Sequence, residues 1–148
     1  MNNRFRHLPT LGLLAGLLVT SHTIPADALD VTVNGLRNTQ GDVVVCVWRA
    51  QDKGFPNCGT GRPWKKLAAP AANPSVAFGD IPPEAIAVSM FHDEQRTGKP
   101  QTNFLGMPTS GVGLANNPDI GPMNRPTFDK ARVVPGAKAI EITAKYLF

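Results

Sequence analysis

Val43-Val44-Val45-Cys46-Val47-Trp48 is an uninterrupted apolar run that is rich in β-branched side chains. Such side chains pack well on a pleated sheet, and a short run that is apolar on both faces is typical of a strand buried on both. Gly41 and Asp42 mark a turn directly before the run. The run therefore predicts a central β-strand that is covered on each side.

Segments on either side of this run alternate apolar and polar residues, which is the pattern of a half-buried strand. The predicted strands are residues 29–36, 76–78, 86–92 and 139–147, with weaker candidates at 64–68 and 127–134. No segment after residue 28 shows a capped helical period, and proline recurs too often for a long helix. We therefore predict an all-β fold, an antiparallel β-sandwich of about seven strands, with a small barrel as the alternative.

The N-terminus has the pattern of a secretory signal peptide. Arg4 and Arg6 precede an apolar run over residues 8–19, and Ala26-Asp27-Ala28 supplies the small-x-small pattern that signal peptidase accepts. The run is shorter than the roughly 20 residues of a membrane-spanning helix, although an uncleaved anchor is the alternative. We predict a signal peptide over residues 1–28, cleavage near Ala28, and one domain over residues 29–148. The mature chain, with no transmembrane segment, is expected to be periplasmic or secreted.

Two cysteines, Cys46 and Cys58, lie after the predicted cleavage site. An even number of cysteines in an exported protein indicates a disulfide. The alternative is a reactive or metal-binding thiol pair. Neither Cys-x-x-Cys spacing nor nearby histidines support that alternative.

Charge gives little indication of a partner. Removal of residues 1–28 lowers the formal net charge from +4 to +3, and the basic residues are scattered. The densest basic segment is 62–66, which contains Arg62, Trp64, Lys65 and Lys66. A solvated strand with one packed tryptophan explains this segment as well as a polyanion site does. We therefore do not expect nucleic-acid binding.

The segment from Asp93 to Pro126 breaks the rhythm of strands and short turns. It contains five glycines, five prolines and several asparagines in 34 residues. Long loops are uncommon in compact domains and often carry function. A functional site is therefore expected here first.

Four motifs follow one another along this part of the chain: residues 92–103, 105–108, 111–117 and 126–131. They begin with His92-Asp93 at a strand end, continue through Gly106-Met107-Pro108, and finish with Pro126-Thr127-Phe128-Asp129-Lys130-Ala131. Their order resembles that of the exported bacterial proteins known as domain of unknown function 2141. The resemblance covers essentially the whole mature chain. It implies a bacterial periplasmic or secreted β-sandwich, immunoglobulin-like or transthyretin-like, with no established activity.

In that family the loop after His-Asp resembles a calcium loop, with oxygen ligands at alternate positions and glycine at the sixth. Here Asp93 is the one charged ligand position, and Phe104 stands where a bidentate glutamate would close the site. Fewer anionic ligands mean weaker calcium binding. We therefore expect neither calcium nor another cofactor. The candidate binding residues are His92, Asp93, Gln95, Thr97, Gly98, Asn103, Asn116 and Asn117.

An enzyme would have to use His92, the one histidine after residue 28. Its neighbour Asp93 could complete a catalytic pair, but adjacent strand residues point to opposite faces. No serine stands in a nucleophile elbow, and three zinc ligands do not converge from consecutive strand residues. We expect His92 to be a rim histidine that holds the long loop, and no catalytic residue is assigned.

The sequence therefore favours a non-enzymatic binding or interaction module that presents the 92–117 loop. Its partner would be an envelope protein, a glycan or a small ligand. Two alternatives stay open. One is a hydrolase-like enzyme with its site at His92 and Asp93, and the other is a carrier of a small hydrophobic ligand inside the sandwich, by analogy with transthyretin.

Overall fold

The computed structural model describes residues 27–148, so the predicted signal peptide lies outside it except for Asp27 and Ala28. This part of the chain forms eight β-strands and one short 3₁₀ turn over Asp129–Ala131. The strands are β1 (Leu29–Asn34), β2 (Asp42–Arg49), β3 (Lys65–Pro70), β4 (Ser75–Phe78), β5 (Ile86–Asp93), β6 (Val112–Leu114), β7 (Arg132–Val133) and β8 (Ala139–Thr143).

The strands form two sheets. One sheet has the order β4-β1-β8, and the other has the order β3-β2-β5-β6, with β7 paired to the beginning of β5. Every strand pair is antiparallel except β1 with β8, which run parallel. The all-β prediction is confirmed, and the two sheets fit the predicted sandwich. The choice between immunoglobulin-like and transthyretin-like topology stays a prediction.

The sandwich core lies between the two sheets, where alternate residues of each strand meet. Leu29, Val31 and Val33 of β1 face inward, and their polar neighbours face outward. The opposite sheet contributes the odd-numbered valines of β2 and the even-numbered apolar residues of β5. The alternation of residue type along each strand thus places one set of apolar side chains between the two sheets.

A second apolar layer covers the outer face of the larger sheet. Its floor is formed by Val44, Cys46 and Trp48 of β2 together with Phe91 of β5, all of them buried. Chain segments that follow β2 and precede β7 cover this floor with Phe55, Cys58 and Phe128. All eight residues of β5 are buried. The prediction that residues 43–48 form a strand covered on both sides is therefore confirmed.

Three boundaries differ from the sequence-based expectation. The long segment after Asp93 is interrupted by β6, whose three residues pair with β5. The final strand ends at Thr143 instead of Leu147. Beyond Thr143 the chain no longer pairs with β1, and Lys145 pairs with Val112 of the other sheet. Residues 127–134 form the 3₁₀ turn and the short strand β7 in place of one strand.

Within residues 27–148, no helix has the length and apolar character that a membrane span requires.

Candidate functional site

His92 is fully buried at the end of β5. Its Nε2 lies 2.7 Å from the carbonyl oxygen of Gln40, and its Nδ1 lies 2.8 Å from Tyr146 Oη. Because a carbonyl oxygen can only accept, Nε2 donates to Gln40, and Nδ1 shares a hydrogen bond with the Tyr146 hydroxyl. Both ring nitrogens are therefore engaged. The ring binds Gln40 and Tyr146, and only the His92 backbone N–H reaches the long loop, at the Gly111 carbonyl 2.8 Å away.

The group around Tyr146 continues to an ion pair. Tyr146 Oη accepts from the Arg37 backbone N–H at 3.1 Å, and the Arg37 guanidinium lies 4.7 Å from the centre of the Tyr146 ring. Arg37 also donates two hydrogen bonds to the Glu94 carboxylate, at 2.6 and 2.7 Å. These hydrogen bonds, with one from Asn38, lower the pKa of Glu94 to about 2 against the opposing effect of burial. The network ties the β1–β2 connection to the end of β5.

Asp93 points to the other face of β5 and organises the turn that follows. Its carboxylate accepts from the backbone N–H of Thr97 at 2.9 Å and of Gly98 at 2.6 Å, and from the Thr97 hydroxyl at 3.3 Å. Gly98 has φ +76°, which is the left-handed region that favours glycine. Both carboxylate oxygens therefore stabilise the turn itself. Gln95 is exposed on this turn.

The three candidate asparagines hold loops in place. Asn103 Oδ1 accepts from the backbone N–H groups of Leu105 and Met107. Asn116 donates to the carbonyls of Lys130 and Arg132, while Asn117 exchanges two hydrogen bonds with the backbone of β8. Asn116 and Asn117 both adopt positive φ, a conformation that asparagine tolerates better than most residues. Their amides connect the region after β6 to both sheets.

The candidate residues therefore do not converge on one site. His92 faces one side of β5 and Asp93 the other, while Asn103 lies in one turn and Asn116 with Asn117 in another. In the part of the chain that the structure describes, no three His, Cys, Asp or Glu side chains come close enough to hold a metal ion. Within residues 27–148, the hydrogen-bond partners of the His92 ring are the Tyr146 hydroxyl and the Gln40 carbonyl, and neither is a serine or a cysteine.

A pocket of about 340 Å³ opens on the outer face of the larger sheet. Its floor is the strand pair β5 and β6, including Ser89, Phe91 and Leu114. Its walls come from three separate segments, 56–58, 100–108 and 120–126, and from Leu147. Among residues 27–148, those that line this pocket include no Asp, Glu, Lys, Arg or His. It is thus an uncharged, mainly apolar pocket beneath the long loop.

Polar groups at the pocket floor are already hydrogen-bonded. Ser89 Oγ accepts from Trp48 Nε1 at 2.8 Å and donates to the Pro56 carbonyl at 2.9 Å. Cys58, which also lines the pocket, is bonded to Cys46, with their Cα atoms 5.9 Å apart. The predicted disulfide is confirmed, and it fixes one wall of the pocket to β2. Ser89 is held in place and is not free to act as a nucleophile.

Two pocket walls carry exposed apolar side chains. Phe104 is 96% and Met123 is 97% exposed, and Leu105 is 70% exposed. Each belongs to a wall segment whose neighbouring residues, such as Met107 and Pro122, line the pocket. These three are among the most exposed large apolar side chains of residues 27–148.

A model of the family described as "Uncharacterized protein conserved in bacteria (DUF2141)" matches residues 31–143. That range runs from β1 to the end of β8. The chain belongs to the DUF2141 family. No match was found among curated proteins or among solved structures.

The pocket of the DUF2141 domain lies partly in the segment 93–126, where the sequence led us to expect a site first. Thr102, Met107 and Pro108 of the long loop line the pocket, as do residues in 120–126, whereas the candidate residues His92 and Asp93 do not. Segment 56–58 was not expected to take part. The apolar character of both faces of β2 was the one available sign that something packs over the outer face of this sheet.

Proposed function

We propose that this DUF2141 protein is an exported, non-enzymatic binding module that holds an apolar group in the pocket over β5 and β6. The observation that carries the proposal is a cavity of about 340 Å³ whose lining contains no charged side chain in the described part of the chain. Small-molecule sites are commonly apolar clefts of about 300–1,000 Å³ with a few polar groups. Residues 100–108 of the 92–117 loop form one wall of the pocket. The proposal therefore still assigns ligand recognition to this loop.

The hydrolase-like alternative has less support. Both ring nitrogens of His92 are engaged, and the ring is fully buried, so it has no free nitrogen to act as a base. Asp93 is committed to the backbone of its own turn. Neither side chain is available to a substrate in this arrangement.

A small hydrophobic ligand is favoured over a glycan or an envelope protein. A glycan site needs several hydrogen-bonding side chains, and the polar side chains of this lining are Asn57, Ser89 and Thr102, of which Ser89 is occupied. The ligand would lie on the outer face of the larger sheet. The space between the two sheets, where sequence reasoning put such a ligand, is occupied by the core side chains.

Binding of the neutral fluorophore N-phenyl-1-naphthylamine tests the proposal. Saturable fluorescence enhancement with one site per chain is expected. Thr102→Trp should abolish it, because Thr102 is exposed and lines the pocket, so a large side chain there fills the cavity without disturbing the core. Ala77→Trp is the matched control, since Ala77 is exposed on the other sheet. Equal binding by both variants would place the fluorophore elsewhere and refute the proposal.

Export is part of the proposal and has its own test. Full-length protein expressed in a bacterium should appear in the periplasmic or extracellular fraction with Leu29 as its first residue. Intact-mass spectrometry reports the cleavage site directly. Recovery from the cytoplasm with residues 1–28 still attached would contradict export.

A further inference from the structure

We propose that the ligand of this pocket is a single-chain anionic amphiphile such as a medium-chain fatty acid, with its tail in the pocket and its carboxylate at the mouth. This inference rests on the proposed function and adds the sign of charge and the shape of the ligand. It is based on the charged residues that surround an uncharged pocket.

Basic residues border the pocket lining at three places. Lys99 and Arg125 are exposed and directly precede the lining residues Pro100 and Pro126. The Nζ of Lys66 lies 3.3 Å from the carbonyl oxygen of Cys58, which is itself a lining residue. One cationic group thus contacts a lining residue and two more basic residues are the direct chain neighbours of lining residues, although the lining itself contains no charge.

Two of these cations lie on neighbouring walls. A methyl group added at Gly59 would stand 2.6 Å from Pro100 Cδ and 3.1 Å from Lys99 Cα, so the disulfide-bonded segment and the long loop are in direct contact. This contact therefore brings the backbone of Lys99 close to the segment whose Cys58 carbonyl binds Lys66. Within residues 27–148, neither Lys99 nor Arg125 forms an ion pair.

Acidic residues near the pocket do not cancel this charge. Asp119 precedes the lining residue Ile120, but its carboxylate lies 3.9 Å from Lys145 Nζ. Glu94 is paired with Arg37, and the Asp93 carboxylate is directed at the backbone of its own turn. Lys66, Lys99 and Arg125, which lie next to or contact lining residues, outnumber the one acidic neighbour of the lining, Asp119, and this balance favours an anion over a cation or a neutral group.

The dimensions favour one short chain. About 340 Å³ is at the low end of small-molecule sites, so a two-chain lipid would leave most of its apolar surface in water. A carboxylate is costly to bury without a partner, and it would therefore stay at the mouth beside the lysines. The exposed Phe104, Leu105 and Met123 offer apolar contact to the part of the chain that leaves the pocket.

The test is displacement of bound N-phenyl-1-naphthylamine at pH 8 by decanoate, decanol and decyltrimethylammonium, which share one tail and differ in charge. Decanoate should displace the fluorophore at a concentration ~10-fold lower than decyltrimethylammonium, with decanol between them, as expected for two or three exposed ion pairs. The difference should shrink in 0.5 M NaCl.

Variants assign the charge effect to the mouth. Lys99→Gln and Arg125→Gln should each weaken decanoate binding by about threefold and leave decanol binding unchanged. Lys138→Gln, an exposed lysine outside this pocket, should change neither. Equal displacement by the three amphiphiles would overturn the inference while the proposed function stands. Failure of the wild-type protein to bind the fluorophore would refute both.

Discussion

Replacing Glu94 with glutamine should destabilise the domain at neutral pH and have little effect in acid. Glu94 accepts two hydrogen bonds from Arg37 and one from Asn38, and it stands 3.8 Å from His92 Nδ1. Glutamine keeps the shape and one acceptor oxygen but removes the charge. The substitution therefore separates the charge of this group from its packing.

The magnitude follows from the pKa of the carboxyl group. A drop from 4.5 to about 2 corresponds to at most ~3.5 kcal/mol at ~1.4 kcal/mol per pH unit. Because 46% of the Arg37 side chain is exposed, solvent screening reduces the expected contribution to about 1–2 kcal/mol. The folded pKa is below the unfolded one, so this stabilisation is complete above about pH 4.5. It is lost as the pH falls towards 2.

The assay is urea unfolding followed by tryptophan fluorescence at several pH values between 7 and 3. Wild-type protein should be more stable than Glu94→Gln by about 1–2 kcal/mol at pH 7, and less than about half of that difference should be left at pH 3. Glu141→Gln is the control, because Glu141 is exposed on β8. A Glu94→Gln variant as stable as wild type at pH 7, or a stability difference independent of pH, would refute the reasoning.

Two further predictions concern buried groups. Tyr146→Phe removes the hydroxyl that bonds His92 Nδ1 and should cost about 1–3 kcal/mol in the free energy of unfolding, the penalty for leaving a buried polar group unpaired; an unchanged unfolding midpoint would contradict the assigned hydrogen bond. Replacing Cys46 and Cys58 together with serine should cost about 3 kcal/mol, because the disulfide closes a loop of 12 residues; equal urea midpoints for this variant and the oxidised protein would argue against the bridge as a source of stability.

The sandwich core could be predicted because its pattern is local. β1, β2 and β5 carry their inward and outward residues in strict alternation or as a continuous apolar run, and each lies within about two residues of its predicted range. Strand pairing is not local. The parallel pairing of β1 with β8 depends on which strand edges are left free, and no residue in either strand specifies it.

The pocket could not be predicted for a related reason. β6 is three residues long with Gly113 at its centre, so it has too few side chains to show a period. The glycines and prolines of 93–126 mark an unusual loop, but nothing in them indicates which of its residues line a pocket or that 56–58 forms another wall. His92 and Asp93 were candidate binding residues because they are polar residues at the end of a strand. In the structure their side chains form hydrogen bonds to other groups of the domain.

The parallel pairing of β1 and β8 also sets an order of assembly. β1 can join β4 as soon as residues 75–78 have emerged, but its other edge has no neighbour until residues 139–143 arrive. Because the closing contact joins segments far apart in sequence, its loop-closure entropy makes folding slow compared with local hairpins. A chain delivered N-terminus first therefore stays incomplete, with one strand edge open, until nearly the whole domain is available.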